Sequence, residues 1–227
     1  MKGDILLNKS VLTKELFSNI PDHLAPLFEK CKYPWEILPQ IKTFIIALQD
    51  ELKDVFHFFS DGVLIGENVT IAPTATIIGP CIIGDGCEIR PGAYIRGNVI
   101  AGKNCVLGNS SEFKNCILLD KVQVPHYNYV GDSVLGYHAH MGAGAICSNF
   151  KADGSNVCVR TSDASFDTGL RKFGAILADY ADIGCGSVLN PGTIIGKKTS
   201  VYPLTSVRGV IGENLIVKSS DNIVERQ

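Results

Sequence analysis

Isoleucine recurs at every sixth position near the middle of the chain, at Ile65, Ile71, Ile77, Ile83, Ile89 and Ile95. An α-helix repeats about every 3.6 residues and a strand every two, so neither explains a period of six. Hexapeptide repeats are typical of a parallel β-helix. In that fold each hexad forms one short strand and one corner, and three hexads close a coil of about 18 residues. The pattern predicts a triangular prism with the isoleucines inside.

A second column of small residues follows four positions after each large one, at Val69, Ala75, Cys81, Cys87, Ala93, Val99, Cys105 and Ser111. A narrow prism needs such compact residues near its corners. The large column continues at Ala101, Leu107, Phe113, Leu119, Tyr129, Leu135, Met141 and Cys147, and again from Leu177 to Val207. We therefore predict a mainly β protein built on a parallel β-helix of hexapeptide repeats.

Residues 1–60 lack the hexad and show helical spacing instead, most clearly along the stripe Ile37, Ile41, Ile45 and Leu48. They are predicted to form a small N-terminal helical cap with Trp35 packed beneath it. Its expected role is to cover an end of the prism, because unpaired strand edges invite association. The β-helix is predicted over 61–217, and the polar tail over 218–227 is expected to be frayed.

Two interruptions of the repeat are candidate functional regions, because function is often located where a regular scaffold becomes irregular. Leu119 and Tyr129 are ten residues apart where two hexads need twelve, so the register is predicted to break within 121–129. A longer interruption covers about 148–173. A loop of that length is expected to be functional or to be an arm that reaches a neighbouring copy.

Composition excludes several classes of protein. The net charge of −2 gives no general basic field for nucleic acid. No apolar stretch approaches the length of a membrane span, and the segment Met1–Asp4 does not begin a signal peptide. The eight cysteines include no C-x-x-C pair, which disfavours a structural zinc site and favours buried thiols in a reducing compartment. We expect a cytoplasmic protein with no nucleic-acid or membrane partner.

The residues also suggest candidate chemistry. His126 could act as a general base, because histidine titrates nearest neutral pH. Arg90 and Lys114 follow inward positions on earlier coils and could converge on a phosphate. A rival interpretation uses His126 with His138 and His140 to hold zinc between the subunits of a trimer, as in the γ-class carbonic anhydrases.

Five short segments, in order, resemble the acetyltransferase half of the bifunctional bacterial enzyme that makes UDP-N-acetylglucosamine. They are IRPGA (89–93), EFK (112–114), PHYNYVGD (125–132), GAGA (142–145) and CSNF (147–150). The H-x-x-Y-x-G-D element is the specific part, since hexads alone indicate only a β-helix. The resemblance extends over roughly 65–215.

The resemblance implies a left-handed β-helix that forms a homotrimer with active sites between subunits. It further implies acetyl-CoA as co-substrate, no metal, and transfer of the acetyl group to the 2-amino group of glucosamine-1-phosphate. By position, His126 would be the base, Arg90 and Lys114 would hold the sugar phosphate, and Tyr129 would contact the sugar. His140 falls where the family has a substrate-contacting asparagine, and the acetyl-CoA would lie along Ala143, Asn149 and Phe150.

The sequence departs from that family in ways that bear on the substrate. Phe150 replaces a tyrosine, and a lysine of the family has no match, so Lys151 or Arg160 would have to replace it. The nucleotidyltransferase half has no counterpart, and that activity is not expected. The alternatives are a non-catalytic sugar-nucleotide-binding or scaffold protein, an O-acetyltransferase and the trimeric zinc enzyme.

Overall fold

The computed structural model describes residues 11–52, 55–161 and 163–226. The segment Met1–Asp4, on which the signal-peptide expectation rests, lies outside them. The described chain forms a parallel β-solenoid, as predicted, and the hexad residues Ile83, Ile89 and Ile95 are buried in its interior. Among the described residues, no helix is both long and apolar enough to span a membrane.

The chain winds round three faces, called faces 1, 2 and 3 in the order in which it visits them. Face 1 contains Val63–Ile65, Cys81–Ile83, Val99–Ala101, Ala175–Leu177, Thr193–Ile195 and Val210–Ile211. Face 2 contains Thr70–Ile71, Glu88–Ile89, Val106–Asn109, Gln123–His126, His140–Met141, Asp182–Ile183, Ser200–Val201 and Leu215–Ser219. Face 3 contains Thr76–Ile78, Tyr94–Arg96, Ile146–Cys147, Val188–Leu189 and Ser206–Val207. The corners between them are corner 1–2, corner 2–3 and corner 3–1.

Two longer strands cross corner 3–1 without interruption, and they explain the slip in the repeat. Glu112–Leu118 and Tyr129–Leu135 both begin on face 3 and end on face 1. Cys116 pairs with Val99 and with Ser133, each 17 residues away rather than 18. The missing residue is lost at corner 3–1, so the prediction of a register break within 121–129 is wrong.

This shortened corner also changes which side chains point inward. Leu118 and Val130 lie in the interior cluster of the solenoid. Counting by six places Leu119 and Tyr129 inside as well, but neither residue belongs to this interior cluster. Leu119 packs in a second buried cluster outside the prism, and Tyr129 is half-buried at the start of its strand on face 3.

The helices cover a side of the solenoid rather than an end, contrary to the predicted position of the cap. They are Thr13–Leu16, Ala25–Lys30 and Ile41–Leu52, with the 3-10 helix Pro34–Gln40 between the last two. Their apolar residues, Trp35 among them, form one buried cluster with outward residues of face 1, namely Ile82, Ile100, Ile117, Val134, Ile176 and Ile194. The layer therefore spans most of the length of face 1.

Antiparallel strands cover the two ends. His57–Ser60, within the range predicted as helical, pairs with Val63–Ile65. Asn222–Glu225 folds back onto Leu215–Ser219, so the tail is paired and not frayed as predicted. These two strands satisfy backbone groups that an open solenoid edge would leave unpaired.

The insertion leaves the solenoid at corner 3–1 and folds against the helices of its own chain. It carries an antiparallel hairpin of Cys158–Arg160 with Ser165–Asp167. The ring of Phe166 lies 5.3 Å from that of Tyr33 and 5.9 Å from that of Trp35. These contacts hold the insertion beside the corner from which it departs.

Candidate functional site

The shortened corner 3–1 holds a buried carboxylate, Asp132, which is 4% exposed. It accepts hydrogen bonds from Asn115 Nδ2 at 2.9 Å and Asn149 Nδ2 at 2.5 Å. The Lys114 ammonium lies 3.3 Å from both carboxylate oxygens. Two residues predicted for the site, Lys114 and Asn149, are thus brought together by a carboxylate to which the sequence analysis gave no role.

Tyr129 belongs to the same cluster. Its hydroxyl accepts a hydrogen bond from Asn149 Nδ2 at 3.1 Å. Burial, followed by the negative charge of Asp132, raises the pKa of Tyr129. The phenol therefore stays neutral at physiological pH and keeps a proton to donate to a hydroxyl or carbonyl of a ligand.

An open pocket lies over this cluster, between the 3-10 helix and the insertion. Its lining includes Asn115, Asp132, Phe150 and Arg171. Phe150 is exposed, and the Arg171 guanidinium lies 6.0 Å from the centre of its ring. The predicted residue Phe150 therefore borders the same pocket as the Asp132 cluster.

His126 lies at a different corner, corner 2–3, where its side chain is exposed. Its backbone N–H donates to Asn128 Oδ1 at 3.0 Å. Asn128 is buried and donates in turn to the carbonyls of Gly142 at 2.8 Å and Ala145 at 3.1 Å. Within the described chain no side chain hydrogen-bonds the His126 imidazole, so a rigid corner presents it to solvent.

Ala143 lies one coil beyond His126 on the same corner, because the N–H of the next residue, Gly144, donates to the His126 carbonyl at 3.0 Å. Ala143 is exposed. The predicted base and this predicted cofactor contact are therefore adjacent. Asn149 and Phe150 follow at the far end of face 3. Within one chain, the residues predicted to contact acetyl-CoA therefore lie at two different corners.

Within one chain the two residues predicted to bind phosphate, Arg90 and Lys114, also lie apart. Arg90 lies on the His126 side, near corner 2–3, whereas Lys114 lies at corner 3–1. Arg90 donates from Nε and Nη2 to the two carboxylate oxygens of Glu88, each at 3.0 Å, and this interaction lowers the pKa of Glu88. Each predicted cation thus has a carboxylate partner already.

His140 lies on the outer side of face 2 and has an acidic partner that sequence reasoning missed. Its Nδ1 is 2.8 Å from Asp182 Oδ1, and this hydrogen bond lowers the pKa of Asp182. The two residues pair in the strand register although they are 42 positions apart in sequence. The insertion lengthens the coil between His140 and Asp182 by 24 residues, so their spacing in the sequence did not reveal the pair.

The zinc alternative receives no support from the part of the chain that the structure describes. No group of three histidine, cysteine, aspartate or glutamate side chains there could hold a metal ion. His126 is at corner 2–3, His140 is on face 2 and His138 is at corner 1–2, so one chain does not gather them.

The family model of the GMPPB C-terminal domain matches residues 77–211, which is more than half of the chain. The chain belongs to this family. The match includes both long corner-crossing strands, His126 and the Asp132 cluster. It ends at the last strand of face 1, so the N-terminal helices lie outside the GMPPB C-terminal domain.

Relatives of known name agree with the resemblance found in the sequence. The bifunctional protein GlmU of Methanococcus maripaludis is 28% identical over 233 aligned positions, which cover 100% of this chain and 56% of that protein. The bifunctional sugar-1-phosphate nucleotidylyltransferase/acetyltransferase of Sulfurisphaera tokodaii is 33% identical over 106 residues, 47% of this chain and 26% of the relative. The uncharacterized acetyltransferase YaiX of Escherichia coli is 34% identical over 153 residues, 67% of this chain and 65% of that protein. The chain spans about half, or less, of the bifunctional relatives.

Two of the solved structures that match part of this chain are complexes with coenzyme A or acetyl coenzyme A. The acetyltransferase domain of PglB from Neisseria gonorrhoeae, in complex with acetyl coenzyme A, is 14% identical with a TM-score of 0.35, covering 82% of this chain and 66% of that chain. A mutant of AntD, an N-acyltransferase from Bacillus cereus in complex with dTDP and coenzyme A, is 18% identical with a TM-score of 0.43, covering 79% of this chain and 89% of that one.

Proposed function

We propose that the protein is an acetyl-CoA-dependent N-acetyltransferase that acts on an amino-sugar phosphate such as glucosamine-1-phosphate. The observation that carries the proposal is the exposed imidazole of His126 on a corner fixed by the buried Asn128 amide. A general base must be held in place and accessible to its substrate, and the proposal is supported by the bond that holds the His126 backbone and by the exposure of its imidazole. The similarity to named acetyltransferases supports the reaction class.

In the proposed reaction, His126 accepts one proton from the ammonium group of the acceptor. The neutral nitrogen attacks the thioester carbonyl, the C–N bond forms, and the C–S bond breaks. The second nitrogen proton goes to the departing thiolate, so one proton is released overall. A general base in this position is worth about 10²–10⁴-fold in rate.

The remaining residues would hold the reactants. The Tyr129 hydroxyl would bind a sugar hydroxyl, and Lys114 would reach the phosphate from its position beside Asp132. Arg90 would turn from Glu88 to the phosphate as well, which costs little because the Arg90–Glu88 pair is partly exposed. His140 would contact the acceptor, and Ala143, Asn149 and Phe150 would lie along acetyl-CoA.

The protein is proposed to act as a homotrimer in the cytoplasm. His126 and Ala143 lie at one corner while Lys114 and Asn149 lie at another, so a neighbouring copy placed between the two corners would complete a site. Closed rings of identical subunits form such shared sites readily. The six buried free cysteines fit a reducing compartment.

The test measures release of the CoA thiol from acetyl-CoA with glucosamine-1-phosphate. We expect release by the wild type and a loss of about 10²–10⁴-fold in His126→Ala. His57→Ala is the matched control, because His57 is an exposed histidine that bonds Glu67 on the opening hairpin. Equal rates in wild type and His126→Ala would reject His126 as the base.

Failure of the wild type would also be informative. Acetyl-CoA binding without release on any amino-sugar phosphate would indicate a different acceptor, such as a hydroxyl group. If acetyl-CoA neither binds nor reacts, the protein is a scaffold or a sugar-nucleotide-binding protein, and the enzymatic proposal is wrong.

A further inference from the structure

Corner 1–2 holds one residue per coil in the left-handed backbone conformation. Most residue types adopt this conformation poorly, whereas glycine and asparagine tolerate it. The outer coils follow this preference, with Asn68, Gly86, Asn104 and Asn214 at φ between 56° and 66°. The middle coils do not, and they place Lys121, His138, Tyr180 and Lys198 there at φ between 55° and 62°. Backbone strain retained at successive positions is typical of a functional site.

Two of these residues, His138 and Tyr180, form an aromatic platform on the surface. The rings of His138 and Tyr180 stack with centroids 5.6 Å apart and planes 23° apart. Tyr137 supports the platform edge-on, with its centroid 5.4 Å from that of Tyr180. Tyr180 is nevertheless 42% exposed, so this column leaves aromatic surface available to a ligand.

Cationic and hydrogen-bonding groups surround a groove next to this platform. Its lining contains Gln123, His140, Asp182, Lys198 and Arg226 as well as the rings of His138 and Tyr180. Arg226 is anchored by a hydrogen bond of 2.9 Å from Nη1 to the Lys198 carbonyl. Within the described chain the Lys198 ammonium forms no ion pair, and Asp182 fixes the orientation of His140. The groove thus combines two cations with orientated donors.

We propose that this groove binds a nucleoside diphosphate group. The base stacks on Tyr180 and His138, because any nucleobase presents a flat π-face to an aromatic ring. The diphosphate lies against Lys198 and Arg226, and arginine binds phosphate oxygens in a bidentate manner. Gln123 faces the groove from face 2 and hydrogen-bonds the ribose or the base edge.

Two compounds of the proposed reaction class contain this chemistry, a sugar nucleotide and the adenosine diphosphate end of CoA. The inference rests on the proposed function only in naming these sources. The groove lies between corner 1–2 and face 2, whereas His126 lies at corner 2–3. Binding here is therefore measurable without acetyl transfer.

The experiment is titration calorimetry of the full chain with UDP and, separately, with adenosine 3′-phosphate 5′-diphosphate, since both probes contain a diphosphate. Tyr180→Asn is the main variant, because asparagine suits the left-handed position and removes only the platform. We expect this variant to weaken binding about tenfold or more while its melting temperature is unchanged or raised. Lys198→Asn should weaken binding of the same ligand. Lys103→Asn is the matched control, because Lys103 lies at the same corner outside the groove and pairs with Asp85 instead, and the affinity of this variant should equal that of the wild type.

The two probes distinguish the sources. An effect on UDP assigns the groove to a sugar nucleotide, and an effect on adenosine 3′-phosphate 5′-diphosphate assigns it to CoA. His126→Ala should bind either probe as the wild type does, so failure of the acetyltransferase proposal would leave this result standing. If the wild type binds neither probe, or if Tyr180→Asn binds as tightly as the wild type, the inference is wrong.

Discussion

The Lys114 ammonium lies 3.3 Å from both carboxylate oxygens of Asp132, at corner 3–1, where two successive coils are each shortened by one residue. Asp132 is buried, and Asn115 and Asn149 satisfy its remaining acceptor sites. Because burial of an unpaired charge is costly, each partner of this cluster constrains the others. The corner is thereby fixed before any ligand arrives.

Replacement of the Asp132 carboxylate should show how far the stability of the protein depends on this cluster. We expect Asp132→Asn to lower the free energy of unfolding by about 2–3 kcal/mol, because Lys114 loses its counter-charge. That figure is below the range for fully buried pairs because 26% of the Lys114 side chain is exposed. Denaturant unfolding measures the change. Glu88→Gln, which removes an exposed partner of Arg90, is the control and should change little, and an equal loss in both variants would contradict the prediction.

The Asn128 amide should be important for both stability and activity. Asn128→Ala leaves the Gly142 and Ala145 carbonyls and the His126 N–H without their partner, and we expect a loss of about 3 kcal/mol. Acetyl transfer should fall as well because His126 is displaced. Asn109→Ala, one coil earlier on the same face, is the control. A variant that keeps full kcat although it is destabilised would show that Asn128 does not position the base.

The pH dependence of stability should report the Asp182–His140 bond. The pKa of Asp182 is lowered in the folded state, so its contribution is present above the unfolded pKa of about 3.9 and is lost as pH falls through the folded value. Asp182→Asn cannot make this contribution at any pH. We expect its urea midpoint to fall less than that of the wild type between about pH 5 and about pH 3. Parallel curves for the two proteins would contradict the assignment.

A site shared between copies should allow complementation. His126→Ala and Asn149→Ala alter residues at different corners, and each should be inactive alone. When the two variants are unfolded together and refolded at equal amounts, about a quarter of the sites in random trimers combine both intact residues. Activity should return to that level. No recovery from a mixture that does form trimers would place the whole site within one chain.

The interior of the solenoid could be predicted from the sequence because each inward position accepts only an apolar residue of suitable size. Ile83, Ile89 and Ile95 are buried as the hexad requires. Counting by six failed at Leu119 and Tyr129 because one residue is lost at corner 3–1 in each of two successive coils. The sequence shows that the six-residue repeat is interrupted, but only the strand pairing shows at which corner the residues are lost.

The candidate site divides along similar lines. His126 and Asn149 were predicted through a motif, and the structure adds a backbone hydrogen bond at His126 and a side-chain bond from Asn149 to Asp132. The Arg90–Glu88 pair was within reach of sequence reasoning, since residues two apart in a strand share a side. Asp132 with Lys114 and His140 with Asp182 depend on the lengths of the coils that separate them. Those lengths become known only from the fold.

The changes in coil length have a practical consequence. In the strand register the chain takes a constant step from face 1 to face 2, as from Ile65 to Thr70 and from Leu177 to Asp182. The step from face 2 to face 3 is equally constant. The one-residue losses and the long insertion all occur at corner 3–1. This corner is therefore a natural grafting position, where a foreign peptide can be added while the coils on either side keep their phase.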